Sequence, residues 1–270
     1  MIAPHDFARI AADPLLARIE EAGLNATSTS RQLLYDGWLL RFSPGKAKRA
    51  RCVNAIAPAR LPLADKLAYA HGLYAEHGLP LCFRITPFTQ PLTLDAELAA
   101  HGFAQEDDTR VMAGALDMPP AVPPVVGILG IGATLDAVDA IEFAESVGQL
   151  RGSPPEQRAA HAKRLAESPH RALRVAITHD SVPVCAGQCI LEGPLAGLYD
   201  IVTAPALRGR GLATAVTCWL LAKAHALGAR TAYLQVDADN APARSIYDKL
   251  GLKDQYSYWY RMSPQGEKAD

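Results

Sequence analysis

The chain has 270 residues, 49% of them apolar and 20% charged, with a formal net charge of −1. That composition supports a packed core in one large or two small domains and excludes a disordered chain. The near-neutral balance gives no electrostatic footprint for nucleic acid, and no apolar run approaches the roughly 18 residues of a membrane span. In chain order, residues 13–22 read as a short helix. Tyr35–Phe42 (YDGWLLRF) reads as a strand, Ser43-Pro44-Gly45 as a turn and Arg51–Ala57 as a second strand, together a hairpin. Lys46, Lys48, Arg49 and Arg51 crowd this hairpin. They fit either an anion site, for a phosphate or an acidic substrate, or a solvated rim whose charges block edge pairing. A helical pattern over Leu63–His77 puts Leu63, Leu67, Ala70 and Tyr74 on one face and stops at Gly78. Leu81–Ile85 reads as a strand, Leu92–His101 as a helix closed by Gly102, and Arg110–Leu116 as a strand.

Asp117–Pro124 (DMPPAVPP) is proline-rich and marks the clearest boundary. It predicts a first domain over 1–118, a linker over 119–124 and a second domain over 125–265. The second domain opens with a weak strand near Val125–Leu129, a helix over Leu135–Gln149, a loop at Arg151–Pro155 and a helix over Glu156–Glu167. Leu173–Thr178 and Val182–Leu191 read as paired strands around His179-Asp180-Ser181. Then follow a strand at Leu198–Val202, a helix at Leu212–Leu227, a strand at Thr231–Val236, a helix at Ala243–Leu250 and a strand at Tyr256–Arg261. These last five repeat the strand, helix, strand, helix, strand order of residues 51–116. Ala100-His101-Gly102-Phe103 also stands beside Lys249-Leu250-Gly251-Leu252, so an internal duplication is expected. The first copy is degenerate. After Ala57 it reads PARLPLAD, with no glycine in the turn, and His101 or Ala99 falls where the second copy carries Tyr247.

The chain is organised around Leu198–Ala213, LYDIVTAPALRGRGLA. Leu198, Ile201 and Val202 suit a buried strand, and Pro205 ends it because proline has no N–H to give a ladder. Gly209 and Gly211 let the backbone take positive φ and approach a ligand closely before the helix begins. Such a turn aims unpaired N–H groups and the positive end of the helix dipole outward, a ready site for phosphate. A second stretch follows. TAYLQV is the next strand, Asn240 or Ala241 caps a short helix with Pro242 in its first turn, and Ala243, Ile246, Tyr247 and Leu250 share one face.

R-x-x-G-x-A, met by Arg208, Gly211 and Ala213 after V-x-x-P (Val202 to Pro205), resembles motif A of the GCN5-related N-acetyltransferases (GNAT). NAPARSIYDKLGL, one helix further on, resembles the family's motif B. The resemblance covers residues 125–262, and the whole chain resembles a bacterial two-domain subgroup in which a degenerate N-terminal GNAT-like unit precedes a complete one. It implies an α/β (α+β mixed-sheet) fold of tandem GNAT-like domains. It also implies acetyl-CoA as co-substrate, no metal, and direct transfer of acetyl to a primary amine of a small molecule or peptide in a ternary complex. By position, the backbone of Ile201, Val202 and Thr203 would polarise the acetyl oxygen. The turn Arg208, Gly209, Arg210, Gly211, Leu212 and Ala213 would hold the diphosphate. Asn240 would contact the pantetheine arm or fix the second helix, and Tyr247 would be the general acid, its phenol giving a proton to the leaving thiolate. The base is less defined: Asp200 is one candidate, with Glu192, Glu142, Glu145 and a water chain as alternatives. The rival reading is a non-catalytic module that binds CoA as a sensor, or binds a partner.

Other chemistries fail on spacing. G-x-G-x-x-G breaks at Thr214, no Gly-Lys-Ser/Thr follows the turn, and neither H-E-x-x-H nor G-x-S-x-G occurs. Cys185 and Cys189, four residues apart on a strand, stand about 13 Å apart and cannot share a metal ion. The five cysteines form no disulfide framework and read as reduced thiols in a cytosolic setting. Tyr256, Tyr258, Trp259 and Tyr260 alternate sides on the last strand, as packing or as an aromatic wall for the acceptor pocket. A monomer and a homodimer both remain open, and neither nucleic acid nor membrane is expected as a partner.

Overall fold

The computed structural model describes residues 4–27, 29–43 and 47–264. Pro44, Gly45 and Lys46 of the expected basic turn, and Gln265 at the end of the expected second domain, lie outside the described residues. The elements run α1 (Pro4–Ala11), α2 (Pro14–Ala26), β1 (Gln32–Tyr35), β2 (Trp38–Arg41), β3 (Val53–Ala55), α3 (Leu63–Glu76), β4 (Cys82–Ile85), α4 (Leu94–Ala100) and β5 (Ala104–Ala115). They continue with α5 (Val125–Leu129), β6 (Ala133–Ala137), α6 (Ala140–Leu150), α7 (Pro155–Ala166), β7 (Arg171–His179), β8 (Val182–Glu192) and β9 (Leu195–Thr203). The last four are α8 (Leu212–Ala226), β10 (Thr231–Asp237), α9 (Ala241–Lys249) and β11 (Lys253–Met262). Two compact units divide the chain: Met1–Val111 with Asp237–Asp239 and Gln255–Asp270, and Met112–Val236 with Asn240–Asp254.

In the first unit β1, β2 and β3 pair antiparallel in turn, β3 pairs parallel with β4, and β4 pairs antiparallel with β11. Residues 35–42 were expected as one strand. Instead Asp36 (φ 41°) and Gly37 (φ 81°) turn the chain between β1 and β2. Asp-Gly is the dipeptide that a two-residue hairpin with positive φ at both positions requires. A Cβ on Gly37 would lie 2.3 Å from the Ala57 carbonyl oxygen, so only glycine fits there. Trp38, Leu40, Phe42, Val53, Ala55, Phe83, Ile85 and Trp259 form one apolar face, covered by Leu67, Ala70 and Tyr74 of α3 and Leu94 and Leu98 of α4. The other side carries charge in the interior: Glu20 of α2 accepts from Arg84 of β4 and from the Tyr256 hydroxyl at 2.7 Å.

In the second unit β6, β7, β8 and β9 pair antiparallel in turn, and β9 pairs parallel with β10. The segment 125–129, expected as a strand, is the short helix α5, and the first strand is β6. Pro124 lies at the N-terminal boundary of α5 and Gly130, at φ 88°, ends it. The helix expected from Leu135 begins at Ala140, because Asp139 and Glu142 form a capping box there. Asp180 and Ser181 both take positive φ in the two-residue turn between β7 and β8. The main core packs Val175, Ile177, Cys185, Cys189, Ala196 and Leu198 of the strands against Leu212, Ala215, Val216, Leu220, Leu221 and Ala224 of α8. A smaller cluster of Phe143, Ala144, Val147 and Leu165 from α6 and α7 covers Ala176, Ala186 and Val202 on the opposite face.

The duplication is visible in how the helices end. Gly102 N–H bonds to Ala99 O and Phe103 N–H to Leu98 O; Gly251 N–H bonds to Asp248 O and Leu252 N–H to Tyr247 O. Both glycines have positive φ, 81° and 85°, as a left-handed helix stop requires. This match aligns Tyr247 with Leu98, one residue before Ala99 and three before His101, the two positions expected from the sequence, because the glycine sets the register.

Candidate active site

The turn after β9 is built by two glycines. A single 3-10 turn at Pro205–Leu207 leads into Arg208, and Gly209 follows at φ 75°. Gly211 sits at φ 89°, ψ 2° as the N-cap of α8. An N-cap serine or aspartate would spend its side chain on the first helical amides; glycine has none, and no side-chain cap exists. Ala215 N–H is the first to close onto the helix, bonding Gly211 O at 3.0 Å. The amides of residues 209–214 have no acceptor among the described residues. Leu212 is buried and anchors the helix start, while Arg208 and Arg210 are exposed beside it. Six unmatched donors with the dipole behind them and two guanidiniums at the rim can hold a diphosphate.

The strand leading into this turn is parted from one neighbour. β9 pairs with β10 only from Leu195–Thr231 to Leu198–Leu234, and beyond that the register stops. On its other side β9 stays paired with β8 as far as Thr203, but with a bulge: Gln188 faces Tyr199 and Ala186 faces Val202. The extra residue lies at Asp200–Ile201, and Asp200 takes φ 52° to accommodate it. Ile201 crosses over Gly187, where an added Cβ would lie 2.4 Å from Ile201 Cδ1 and 2.6 Å from Val216 Cγ1. Thus Ile201–Thr203 has one edge without a ladder, and alternate amides there are available to a ligand. Ile201, Val202 and Thr203 are half-buried, with Ile201 against α8 and Val202 under α6.

Tyr247 projects from α9 into the main core and is 7% exposed. Burial pushes its phenol up to about 12, with the nearby Cys185 thiol adding to the shift. Its hydroxyl has no hydrogen-bond partner among the described residues. Cys185 in turn meets Thr203 Oγ1 at 3.2 Å, at the end of the unpaired part of β9. Asn240 is exposed and its Oδ1 accepts from Ala243 N at 3.2 Å, so its side chain is committed to capping α9.

The carboxylates are all engaged. Asp200 accepts from Arg151 Nη2 at 2.9 Å and Gln188 Nε2 at 2.9 Å, and lies 3.8 Å from His161 Nε2. Burial raises its pKa, but the Arg151 charge, that of His161 when its ring is protonated, and the two bonds outweigh it and hold the group below the ordinary carboxylate value. Glu192 lies at the β8–β9 hairpin, opposite Leu195, about 23 Å along the strand from Val202 at 3.3 Å per residue. Glu142 closes the α6 capping box, and Glu145 holds Arg158 at 2.6 Å and Gln149 at 2.8 Å. Sequence reasoning missed Arg151, His161, Arg174 and Gln188. Gln188 had a signal, as the one polar residue in VCAGQCIL; nothing in the pattern of α7 marked His161.

Lys48 of the basic hairpin is bound by Glu106 at 2.6 Å and Asp107 at 3.0 Å, which leaves it a poor anion ligand. All five cysteines are free and buried; burial pushes Cys185 up to about 11 and Cys189 to about 12. Tyr256, Tyr258, Trp259 and Tyr260 are buried, and Trp259 Nε1 donates to Asp95 at 2.9 Å. No metal-holding group of three His, Cys, Asp or Glu occurs among the described residues, and no helix there is long and apolar enough to cross a membrane.

Residues 141–252, which run from α6 to the end of α9, match the family model described as Acetyltransferase (GNAT) family. The chain is 27% identical over 231 residues to a protein of Bacillus subtilis strain 168 described as the uncharacterized N-acetyltransferase YobR, covering 83% of this chain and 89% of that one. A GCN5-related N-acetyltransferase from Kribbella flavida superposes with a TM-score of 0.66 at 21% identity, covering 94% of this chain and 97% of the other. A tandem GNAT protein from the clavulanic acid biosynthesis pathway gives a TM-score of 0.58 at 20% identity over 76% and 70% of the two chains. Residues 141–252 are thus similar to the GNAT acetyltransferases, and the fold of the chain is that of the tandem GNAT proteins.

Proposed function

We propose that this enzyme moves acetyl onto a primary amine by direct attack in a ternary complex. The observation that carries the reading is the end of β9–β10 pairing at Leu198–Leu234 directly before a turn with six unmatched amides. One feature accepts a flat thioester arm between two strands, and the other accepts its anionic end. Gly209, Arg210, Gly211, Leu212 and Ala213 bind the diphosphate, with Arg208 and Arg210 screening its charge. The free edge of Ile201–Thr203 donates to the acetyl oxygen, where negative charge grows as the amine adds. Asn240 fixes α9, and α9 holds Tyr247. Acetyl-CoA supplies the activated acyl group; the chain supplies position, an electrophilic edge and protons.

Tyr247 is suited to the acid role because its raised pKa keeps it protonated at neutral pH and its hydroxyl is uncommitted. Burial weakens the phenol as an acid, and burial of the leaving thiolate raises its proton affinity in the same direction, which offsets that weakening. The test is thiol release from acetyl-CoA across an amine panel, for the wild type and Tyr247→Phe. The expected result is a loss of about 10²-fold in kcat with acetyl-CoA affinity unchanged. Equal rates in the two proteins would assign the acid elsewhere. Tight CoA binding without release on any amine would make the chain a sensor.

A further inference from the structure

Asp200 directly precedes Ile201–Thr203, the strand segment assigned to the acetyl group on the acetyltransferase reading, yet it is poorly able to keep a proton. Two donors at 2.9 Å and the adjacent Arg151 charge stabilise its ionised form. A carboxylate so held passes a proton on. Its neighbour on the other side is His161 of α7, whose ring is only 12% exposed. His161 Nε2 is fully buried, points to Asp200 Oδ2 at 3.8 Å, and has no hydrogen-bond partner among the described residues. Gln188 donates to the same Oδ2, and its own Oε1 is also buried and unpartnered. A buried imidazole that served only packing would have its ring nitrogen bonded.

We propose that His161 is the proton store of the reaction, acting through Asp200. The inference rests on the acetyltransferase reading. The polar cluster crosses three strands, with Arg174 of β7 opposite Gln188 of β8 and Asp200 in the β9 bulge. It is covered by His161 and by Arg151 at the end of α6. The His161 ring meets Phe143 edge-on at 6.3 Å, in the same cluster that takes Val202. This places the imidazole next to the strand segment assigned to the acetyl group. The charged groups facing it are Asp200 from β9, Arg151 from α6, Arg174 from β7 and Arg164 from its own helix. Burial and the three guanidiniums keep the ring neutral at neutral pH, with Asp200 the one group opposing them.

The step balances as follows. The amine nitrogen forms a bond to the acetyl carbon while its proton goes to Asp200 Oδ2 and on to His161 Nε2. The carbon–sulfur bond breaks with its electron pair on sulfur, and Tyr247 protonates that thiolate. The imidazolium charge is set against Asp200 until the proton leaves to solvent, and the Tyr247 phenolate takes a proton back from solvent as the thiol departs.

The test uses the full chain and an amine that the wild type acetylates. kcat/KM is followed from about pH 5 to about pH 8 for the wild type, His161→Gln and Asp200→Asn, with acetyl-CoA affinity measured alongside and the His161 ring titrated by NMR. The wild type should lose activity on acidification with an apparent pKa below the ordinary histidine value of 6.5. His161→Gln should abolish that acid limb and lower kcat roughly 10–100-fold, with acetyl-CoA affinity held within about twofold. In Asp200→Asn the ring should titrate at still lower pH, because the carboxylate that favours imidazolium is gone. This readout also serves if His161→Gln does not fold. An unaltered acid limb in His161→Gln, or a ring titration indifferent to Asp200→Asn, overturns the proposal while leaving the acetyltransferase reading intact. A wild type that binds acetyl-CoA but releases no thiol with any amine sinks that reading first, and this inference with it.

Discussion

After β3 the chain reaches α3 through Arg60, Leu61 and Pro62; after β9 it reaches α8 through Arg208, Gly209, Arg210 and Gly211. Both passages end a parallel strand and start a long helix. In the first, the turn amides are taken by the protein itself: Asp36 accepts from Arg60 N at 3.0 Å and from Leu61 N at 2.9 Å. Lys66, almost fully buried, lies 3.3 Å from the same carboxylate and stacks over Trp38 at 4.1 Å. In the second, the amides are left open and the N-cap is a glycine with no side chain to close them. One architecture can therefore hold an internal anion or an external one. The choice depends on whether a carboxylate sits on the preceding hairpin and whether glycine permits positive φ.

The comparison breaks most sharply at Gly211. Gly211→Val forces a β-branched residue into φ 89°, although the nearest atom to an added Cβ is Ile128 Cδ1 at 3.9 Å. The penalty is therefore conformational, and the turn re-forms with its amides re-aimed. Losing two charge-assisted bonds should weaken acetyl-CoA binding about 100-fold, as titration calorimetry would register; unchanged affinity would remove the diphosphate from this turn. Arg210→Glu is a milder probe, since the side chain is exposed and screened. It should cost about tenfold in affinity at low ionic strength and less as salt is added; a salt-independent affinity would place the charge elsewhere.

The smallest effect belongs to the closed turn. Asp36→Asn should leave acetyl-CoA affinity unchanged and lower the unfolding midpoint by about 2–4 °C at neutral pH. Hydrogen bonding to Leu61 N–H leads the causes that hold Asp36 below its ordinary value of 3.8. A carboxylate with a depressed folded pKa stabilises fully above 3.8, and that contribution disappears as pH falls through the folded value. The difference between variant and wild type should therefore close on acidification; a constant gap across pH would mean Asp36 acts through shape alone.

The turn and the helix ends were legible in the sequence because they depend on local backbone chemistry. Gly209, Gly211, Pro205 and Asn240 constrain φ, N–H supply or capping within a few residues, whatever surrounds them. The Asp36-Gly37 hairpin carried the same kind of signal, in a run that also read as one strand. The 125–137 segment was misread because a short apolar run has no periodicity that separates a buried strand from a turn of helix. Asp200 was visible on its strand, but not its partners, since Arg151, His161 and Gln188 come from three other elements.

What the sequence determined by itself was the order of elements from α6 onward, the duplication, and the glycine turn that leaves donors open at the head of α8. Tertiary structure alone decided what each carboxylate was engaged with, which side of β9 lost its partner, and that a histidine in α7 would meet Asp200. The reason is range. Capping and positive φ act within one turn of chain, whereas burial, parted strands and charge clusters exist only after distant elements have packed and water has been excluded between them.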